Sequence, residues 1–172
     1  MRSATERTTF QAYDRDDRPP GVRNHVLVLP SVICSRIVAE RIAERVPAAR
    51  AAPHDHGCGQ IGPDRTQIAR TYEGVATSPN VAGAVIVGLG CEAVQSDDVA
   101  AALKGRVPVR ELSIQGVGGT DACVERGVQL VEELAEGGRT ARRRPADLSE
   151  LTLGIVGSDA AGTTVETADP LV

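Results

Sequence analysis

Apolar residues along this chain fall into short unbroken runs that alternate with segments of helical periodicity. The clearest run extends from Val81 to Leu89, and a second, from His25 to Leu29, is closed by Pro30. Short runs rich in Val, Leu and Ile are typical of buried strands. We predict strands at 25–29, 50–53, 81–89, 107–114 and 151–156.

Between these strands, apolar residues recur every three or four positions, as in amphipathic helices. In the first such segment Ile37, Val38 and Ile42 share one face, and charged residues occupy the other. Five strands alternating with four helices, without hairpin signals, favour parallel pairing through right-handed crossovers. We therefore predict an α/β fold with an open, mostly parallel sheet and helices on both faces, in a Rossmann-like or flavodoxin-like arrangement of three layers.

The two ends of the chain are more polar than its middle, which predicts its domain organisation. The first 19 residues are rich in charge and lead into the pair Pro19-Pro20, so they bury too little apolar surface to order themselves. We predict a flexible N-terminal tail at 1–19, an α/β domain at 20–137, an Arg-rich linker at 138–150, and a last strand with its loop at 151–172.

Composition excludes several classes of partner. The chain has 172 residues, a formal net charge of −4 and only 2% aromatic residues, so neither a cationic phosphate-binding surface nor a base-stacking surface is expected. No apolar run approaches the roughly 20 residues that span a bilayer, and the N-terminus has no signal-peptide pattern. We therefore expect a cytoplasmic protein that binds neither nucleic acid nor membrane.

Side chains that can bind metals, transfer protons or form hydrogen bonds cluster after the predicted strands. Because parallel strands end at one edge of a sheet, and ligands bind beyond that edge, we expect these side chains to share one crevice. They are Cys34, His54, His56, Cys58, Cys91, Glu92, Gln115, Ser158 and Asp159.

Thiolate and imidazole groups in such a crevice suit iron or zinc. The spacing matches no zinc finger, because the chain has no C-x-x-C pair. The alternative is that Cys34, Cys58 and Cys91 are small buried thiols near glycine turns, while Cys123 is expected in a helix core.

Two glycine-rich loops, 57–62 and 88–93, resemble dinucleotide-binding fingerprints. Such a fingerprint normally occupies the first strand–helix turn, with an acidic residue about 20 positions later, and neither loop meets both conditions. A NAD-binding Rossmann domain therefore remains an alternative to a metal site.

An ordered series of motifs resembles the altronate/galactarate dehydratase family, which includes sulfolactate sulfo-lyase relatives. The series runs Gly21-Val-Arg-Asn24, His54-x-x-Gly-Cys-Gly59, Pro79-Asn-Val81, Gly88-Leu-Gly-Cys-Glu92 and Ile114-Gln-x-x-Gly-Gly-Thr120. It covers roughly residues 13–159 and corresponds to the first half of the family's large catalytic region. The resemblance implies a lyase that removes water from an aldonic or aldaric acid to give a 2-keto-3-deoxy acid, usually with ferrous iron.

The resemblance also implies roles for individual residues. We expect His54 or Glu92 to act as acid or base, and Arg23 to hold a substrate carboxylate. Cys58, Cys91 and Cys34 are the candidate metal ligands. The candidate substrate-binding residues are Arg23, Asn24, Gln115, Gly118, Gly119, Ser158 and Asp159.

The chain departs from the family pattern near its end. The family usually continues as Gly-x-x-Cys-Gly-Gly-Ser-Asp, whereas this chain has Gly154-Ile-Val-Gly-Ser-Asp159, which is shorter and lacks the cysteine. We therefore expect a truncated active-site loop and a lyase, or lyase subunit, that is incomplete alone. The expected partners are a sugar acid, a separate small N-terminal-domain subunit and the second catalytic half, in a homo- or hetero-oligomer. The alternative is a non-catalytic sugar-acid-binding module.

Overall fold

The computed structural model describes residues 8–154. Its strands are β1 (Thr9–Tyr13), β2 (His25–Pro30), β3 (Ala49–Ala51), β4 (Val81–Gly88), β5 (Val109–Ser113) and β6 (Arg143–Asp147). Its helices are α1 (Arg36–Arg45), α2 (Pro63–Ala76), α3 (Ser96–Leu103) and α4 (Thr120–Gly138), and short 3₁₀ turns lie at Ile33–Ser35 and Leu148–Glu150.

Four of the strands form the parallel sheet that the sequence predicts. Their order is β3-β2-β4-β5, and every neighbouring pair is parallel. The chain leaves β2 toward one edge to form β3 and then returns past β2 to form β4, so the direction of winding reverses between β2 and β4. Crevices at such reversals are the usual ligand sites of open α/β sheets.

Helices cover both faces of this sheet, as predicted. Alternate residues of a strand point to opposite faces, so Val26 and Val28 pack with α1 and α4, while Leu27 and Leu29 pack with α2 and α3. The chain thus buries two apolar layers around β2 and β4. No helix in the described part of the chain is long and apolar enough to cross a membrane.

Helices α1 and α4 approach each other closely through a glycine. A methyl group at Gly127 would overlap the side chain of Ile42, which is fully buried. Glycine is an unfavourable helix residue, and its presence here is explained by that contact rather than by helix propensity.

Strands β1 and β6 correct the predictions for both ends of the domain. They pair antiparallel and form a separate two-stranded sheet, although β1 lies in the segment expected as a flexible tail and β6 lies in the expected linker. The ribbon is held by Arg144, which contacts Asp14 at 2.8 Å and Glu150 at 3.1 Å, and by Arg143 stacked over Tyr13. Neither strand has an apolar run, so only their long-range pairing identifies them.

The predicted strand at 151–156 is also corrected where the structure describes it. Residues 151–154 are irregular and exposed, and the remainder of that prediction lies outside the described residues. The parallel sheet therefore has four described strands instead of the expected five.

Two isoleucines of α1 allow a matched test of the buried layer. Ile42 is 0% exposed and Ile37 is 57% exposed. We expect Ile42→Ala to lower the free energy of unfolding by about 2–5 kcal/mol, because it leaves a cavity between α1 and α4. The control Ile37→Ala should change it by no more than about 0.5 kcal/mol. Urea denaturation measures both, and equal effects would contradict this packing.

Candidate functional site

A buried carboxylate joins the ends of the two central strands. Glu92, in the loop after β4, is 4% exposed. Its Oε1 accepts a hydrogen bond from the Ser31 hydroxyl, just after β2, at 2.9 Å, and its Oε2 accepts one from the Gly90 N–H at 2.7 Å. The Ser31–Glu92 contact therefore lies at the point where the winding of the sheet reverses.

Hydrogen bonds keep Glu92 ionised in spite of its burial. Burial by itself raises the pKa of a carboxyl group, but the backbone N–H groups of Gly90, Glu92 and Cys91 and the Ser31 hydroxyl stabilise the charged form. Together they hold the pKa of Glu92 below its ordinary value. Glu92 is thus a charged hydrogen-bond acceptor at neutral pH and is poorly suited to donate a proton.

Glycines allow the loops after β2, β3 and β4 to meet around this carboxylate. A side chain at Gly88 would overlap the Glu92 carboxylate and the Ser96 hydroxyl. Gly57 has a φ of 99° and lies so close to the Ser31 carbonyl that no side chain fits there. The Gly57 carbonyl also accepts a hydrogen bond from the Ala93 N–H at 2.9 Å, which fastens the second loop to the third.

Both ring nitrogens of His54 are occupied. Its Nε2–H donates to the Pro30 carbonyl at 2.6 Å, and its Nδ1 accepts from the His56 backbone N–H at 3.2 Å. This pattern corresponds to the neutral Nε2–H tautomer. His54 therefore fixes the loop after β3, and neither ring nitrogen is free in this arrangement to take up a substrate proton or bind a metal.

Tyr72, a buried residue of α2 that is not among the site residues predicted from the sequence, belongs to the same arrangement. Its hydroxyl donates to the Ser31 carbonyl at 2.8 Å, and its ring lies 5.2 Å from that of His54. Burial, with a further contribution from the negative charge of Glu92, raises the pKa of Tyr72 to about 12. Ser31 is thus held on one side by Tyr72 and on the other by Glu92.

A cleft of about 560 Å³ opens beside these residues, between α2 and the ends of β2 and β3. Its volume is in the range of small-molecule sites. It is lined by Leu29, Ala52, Pro53, His54, His56, Gln60, Asp64, Gln67, Ile68, Thr71, Tyr72 and Val75.

The loop after β5 adds the predicted substrate-binding residues Gln115, Gly118 and Gly119. The Gln115 side chain is exposed and lies against Gly90, where a side chain would overlap its amide. Gly118 and Gly119 have φ values of 91° and 125° and lead directly into α4. Because Gly119 provides no capping side chain, the first turn of α4 has no side-chain cap for its N–H groups at this edge.

The cysteines separate as the sequence suggested, three into loops and one into a core. Cys34, Cys58 and Cys91 follow β2, β3 and β4 and are exposed, so the alternative of buried thiols is wrong. Cys123 is buried in α4, where burial and then Glu111 raise its pKa to about 11. Within residues 8–154, however, no three His, Cys, Asp or Glu side chains group so as to hold a metal ion. The described residues thus do not by themselves fit an iron site, and we derive no step through iron.

Arg23 and Asn24 lie away from the other candidate residues. They precede β2, so a six-residue strand of about 20 Å separates them from Ser31. The Asn24 amide is occupied by Arg15 at 2.9 Å and by the Gly138 carbonyl at 3.1 Å. These two residues therefore lie at the amino-terminal end of β2, away from the loops that follow the strands. The candidates Ser158 and Asp159 lie outside the described residues.

The positions of the glycine-rich loops bear on the dinucleotide alternative. The first strand–helix turn of the parallel sheet, residues 31–35, contains no glycine, and the two glycine-rich loops follow β3 and β4. Glycine in that first turn is what lets a pyrophosphate approach the backbone in dinucleotide-binding sheets. The structure therefore adds no support to this alternative.

Comparison with known proteins identifies related sequences. Residues 12–138 match the family described as D-galactarate dehydratase/Altronate hydrolase, second domain. Altronate dehydratase of Bacillus subtilis (strain 168) is 29% identical over 179 residues, which cover 98% of this chain and 36% of the relative. Altronate dehydratase of Escherichia coli (strain K12) is 28% identical over 174 residues, 94% of this chain and 34% of the relative.

A third relative carries a different name. The (2R)-sulfolactate sulfo-lyase subunit beta of Chromohalobacter salexigens is 32% identical over 145 residues, 83% of this chain and 36% of the relative. These matches confirm the resemblance that the ordered motifs indicated. The chain spans about a third of the length of the curated relatives it matches.

The lowered pKa of Glu92 gives a prediction with a definite sign. A carboxylate whose pKa is lower in the folded state contributes stability above its unfolded pKa, and this contribution is lost as pH falls through the folded value. We expect Glu92→Gln to lower the free energy of unfolding by about 1–3 kcal/mol at pH 7. The difference from wild type should shrink as pH falls below the ordinary value of 4.5.

Denaturation at a series of pH values between 7 and 3 measures this difference. Glu44→Gln, at an exposed position of α1, is the matched control and should show little effect at any pH. If Glu92→Gln destabilises the protein equally at pH 7 and pH 3, the charge of Glu92 is not what stabilises the loop.

Proposed function

The chain belongs to the D-galactarate dehydratase/altronate hydrolase family, and on that premise we propose that it carries part of the active site of a sugar-acid lyase. The reaction would be a dehydration, in which an aldonate or aldarate loses water and gives a 2-keto-3-deoxy acid. The observation that carries this proposal is the meeting of four loops, from β2, β3, β4 and β5, at the one edge where the sheet changes direction.

Dehydration beside a carboxylate makes three demands on a protein. The carboxylate must be bound, the negative charge that develops when the α-proton leaves must be stabilised, and the departing hydroxyl must receive a proton. The described residues suit the first two demands better than the third.

Among the described loops, the loop after β5 is the one best suited to bind the carboxylate of the substrate. The Gln115 amide is exposed, and the uncapped first turn of α4 has N–H groups at the positive end of a 19-residue helix. Gly118 and Gly119 have open space where a side chain would stand, so a ligand can approach their backbone. We infer that these groups bind the acid and stabilise charge that develops on it.

Glu92 and His54 act in this proposal by positioning the loops. The charged Glu92 holds the turn that presents Cys91 and carries Gly90 against Gln115. His54 holds the loop after β3 through Pro30. In this arrangement the polar atoms of both side chains are occupied by these hydrogen bonds. A role for either residue as acid or base stays a prediction.

A second part of the catalytic region is needed to complete the site. The related sulfo-lyase is named as a subunit beta, and each relative is almost three times as long as the matched region. We propose that further residues, on the same or another polypeptide, supply the proton transfers. The alternative function, a non-catalytic module that binds the acid, is favoured by the hydrogen bonds that commit the Glu92 carboxylate and both ring nitrogens of His54 to holding the loops.

Binding of a sugar acid tests the shared part of both functions. We expect D-altronate to bind the protein in calorimetric titrations and Gln115→Ala to weaken that binding at least about threefold, through loss of one hydrogen bond. Gln129→Ala, on a later turn of α4, is the matched control and should not change it. Absence of acid binding, or equal loss in the two variants, would contradict the proposal.

Formation of a 2-keto-3-deoxy acid separates the two functions. The carbonyl product can be followed by its reaction with semicarbazide, with this protein alone and with it joined to the remaining catalytic region. Turnover in the joined protein supports the lyase, and binding without turnover in either form supports the module.

A further inference from the structure

Three exposed isoleucines lie around the loops that follow β2 and β3. Ile33, in the 3₁₀ turn after β2, is 41% exposed, and Ile37, in the first turn of α1, is 57% exposed. Ile61, just before α2, is 80% exposed. We call these three residues the isoleucine rim. Isoleucine is among the residues most often buried in proteins, and grouped apolar side chains on a surface mark interaction sites.

Hydrogen bonds and a shared cleft join the parts of the rim. Ile33 and Ile37 are four positions apart in one continuous helical segment, so their side chains are neighbours. The Ile33 N–H donates to the His56 carbonyl at 2.7 Å, which fastens the turn after β2 to the loop after β3. His56 and Gln60 line the cleft beside α2, and Ile61 directly follows Gln60. The rim thus extends from α1 to the cleft.

The charge beside the rim is already compensated within the chain. Arg36 lies between Ile33 and Ile37 in sequence, and its guanidinium contacts Asp55 at 2.6 Å and Glu40 at 3.1 Å. A guanidinium that two carboxylates already hold has little attraction left for a further anion. The rim is therefore suited to a partner that contributes apolar side chains rather than charge.

The outer face of α1 changes character along the helix. One turn beyond Ile37, Arg41 contacts Asp121 of α4 at 3.1 Å, and in the next turn Arg45 pairs with Glu125. These side chains are solvated, and covering them with a partner would cost their hydration. An interface on α1 should therefore cover the turn that carries Ile37 and end before Arg41.

The comparisons favour a large folded region as the occupant of the rim. The matched region makes up 36% or less of each relative, so most of each relative lies outside it. A stable contact between folded regions covers about 800 Å² of each partner, which is far more than a small ligand covers. The region that completes the proposed site must also reach the loop edge of the sheet, and the rim lies at that edge.

Resting on the proposed function, we propose that the isoleucine rim is the docking surface for the remaining catalytic region of the lyase. That region would pack apolar side chains on Ile33, Ile37 and Ile61 as it completes the site beside the loops. The rim then serves assembly, in contrast to Ile42, which serves the stability of the domain itself.

Cys34 provides a natural reporter for this docking, because it is exposed in the same turn as Ile33. The test compares the isolated chain with a chimaera in which this chain replaces the matched region of the Bacillus subtilis altronate dehydratase. We expect iodoacetamide to alkylate Cys34 at least about tenfold more slowly in the chimaera, because a covered thiol is inaccessible. Peptide mass spectrometry measures the rate at each cysteine.

Two internal controls accompany this measurement. Gln129→Cys, at an exposed position of α4 away from the rim, should react at the same rate in both proteins. The native Cys123, which is buried in α4, should react slowly in both.

Charged variants of the rim make the test specific. Ile37→Asp and Ile61→Asp would each bury an unpaired carboxylate, and in the chimaera each should return Cys34 alkylation to within about threefold of the rate in the isolated chain. Leu148→Asp makes the same change at an exposed apolar residue of the 3₁₀ turn after β6 and should leave the protection of Cys34 intact. Circular dichroism reports the fold of each variant.

The isolated chain provides a second measurement that does not depend on the chimaera. We expect the dye 8-anilinonaphthalene-1-sulfonate to fluoresce with the wild-type chain, and the triple variant Ile33→Ser, Ile37→Ser, Ile61→Ser to lower that fluorescence at least about twofold. Leu148→Ser is the matched control and should have little effect. Equal fluorescence of the wild-type chain and the triple variant would show that the rim is not an accessible apolar surface and would overturn the proposal.

The outcomes separate this inference from the proposed function. If the chimaera dehydrates altronate while Cys34 reacts as fast as in the isolated chain, the docking surface is overturned and the proposed function stands. Protection of Cys34 without turnover supports the docking surface and contradicts the lyase. Protection that Ile37→Asp and Leu148→Asp abolish alike overturns the docking surface.

A second copy of this chain is the competing occupant. If Cys34 of the isolated chain becomes protected as its concentration rises, and sedimentation shows a dimer that Ile37→Asp dissociates, the rim joins two copies and the proposal is overturned.

Discussion

The arrangement of the whole edge depends on one buried negative charge. A carboxylate removed from water is unfavourable unless several donors surround it, and Glu92 meets that condition only if the loops after β2 and β4 adopt one mutual position. Gly88 and Gly57 remove the side chains that would obstruct it. The loop after β3 then attaches to the other two through the carbonyl of Gly57.

The parts of this fold that were predictable are those that local apolar patterns determine. Each strand of the parallel sheet is buried on both faces, so β2 and β4 appear as unbroken runs of Val, Leu and Ile, and the helices show one apolar face each. The ribbon of β1 and β6 is not predictable in this way because its two strands pair across the length of the domain, and contacts such as Arg144 with Asp14 join residues 130 positions apart. No local pattern records such a pairing.

In the candidate site, too, the positions of residues were predictable from chain order, whereas their contacts were not. Chain order was enough to predict that residues following parallel strands would lie at one edge, and Glu92, His54, Cys91 and Gln115 do lie there. Their hydrogen-bond states depend on backbone groups of other loops, which residue identity does not reveal. Tyr72 occupies an apolar position of α2, which by itself gives no sign of a site. Arg23 entered the prediction through the family resemblance, and the structure places it before β2, where its backbone N–H donates to Asn80.

The antiparallel ribbon also has a mechanical meaning. Thr9 pairs with Asp147, and the Leu148 N–H donates to the Thr8 carbonyl, so the chain enters and leaves the domain at the same corner. A force that draws these two points apart would load the hydrogen bonds of the ribbon in sequence, one rung after another, before any load reached the central sheet. Under such a force, the loops around Glu92 would carry no load until the paired residues of β1 and β6 had separated.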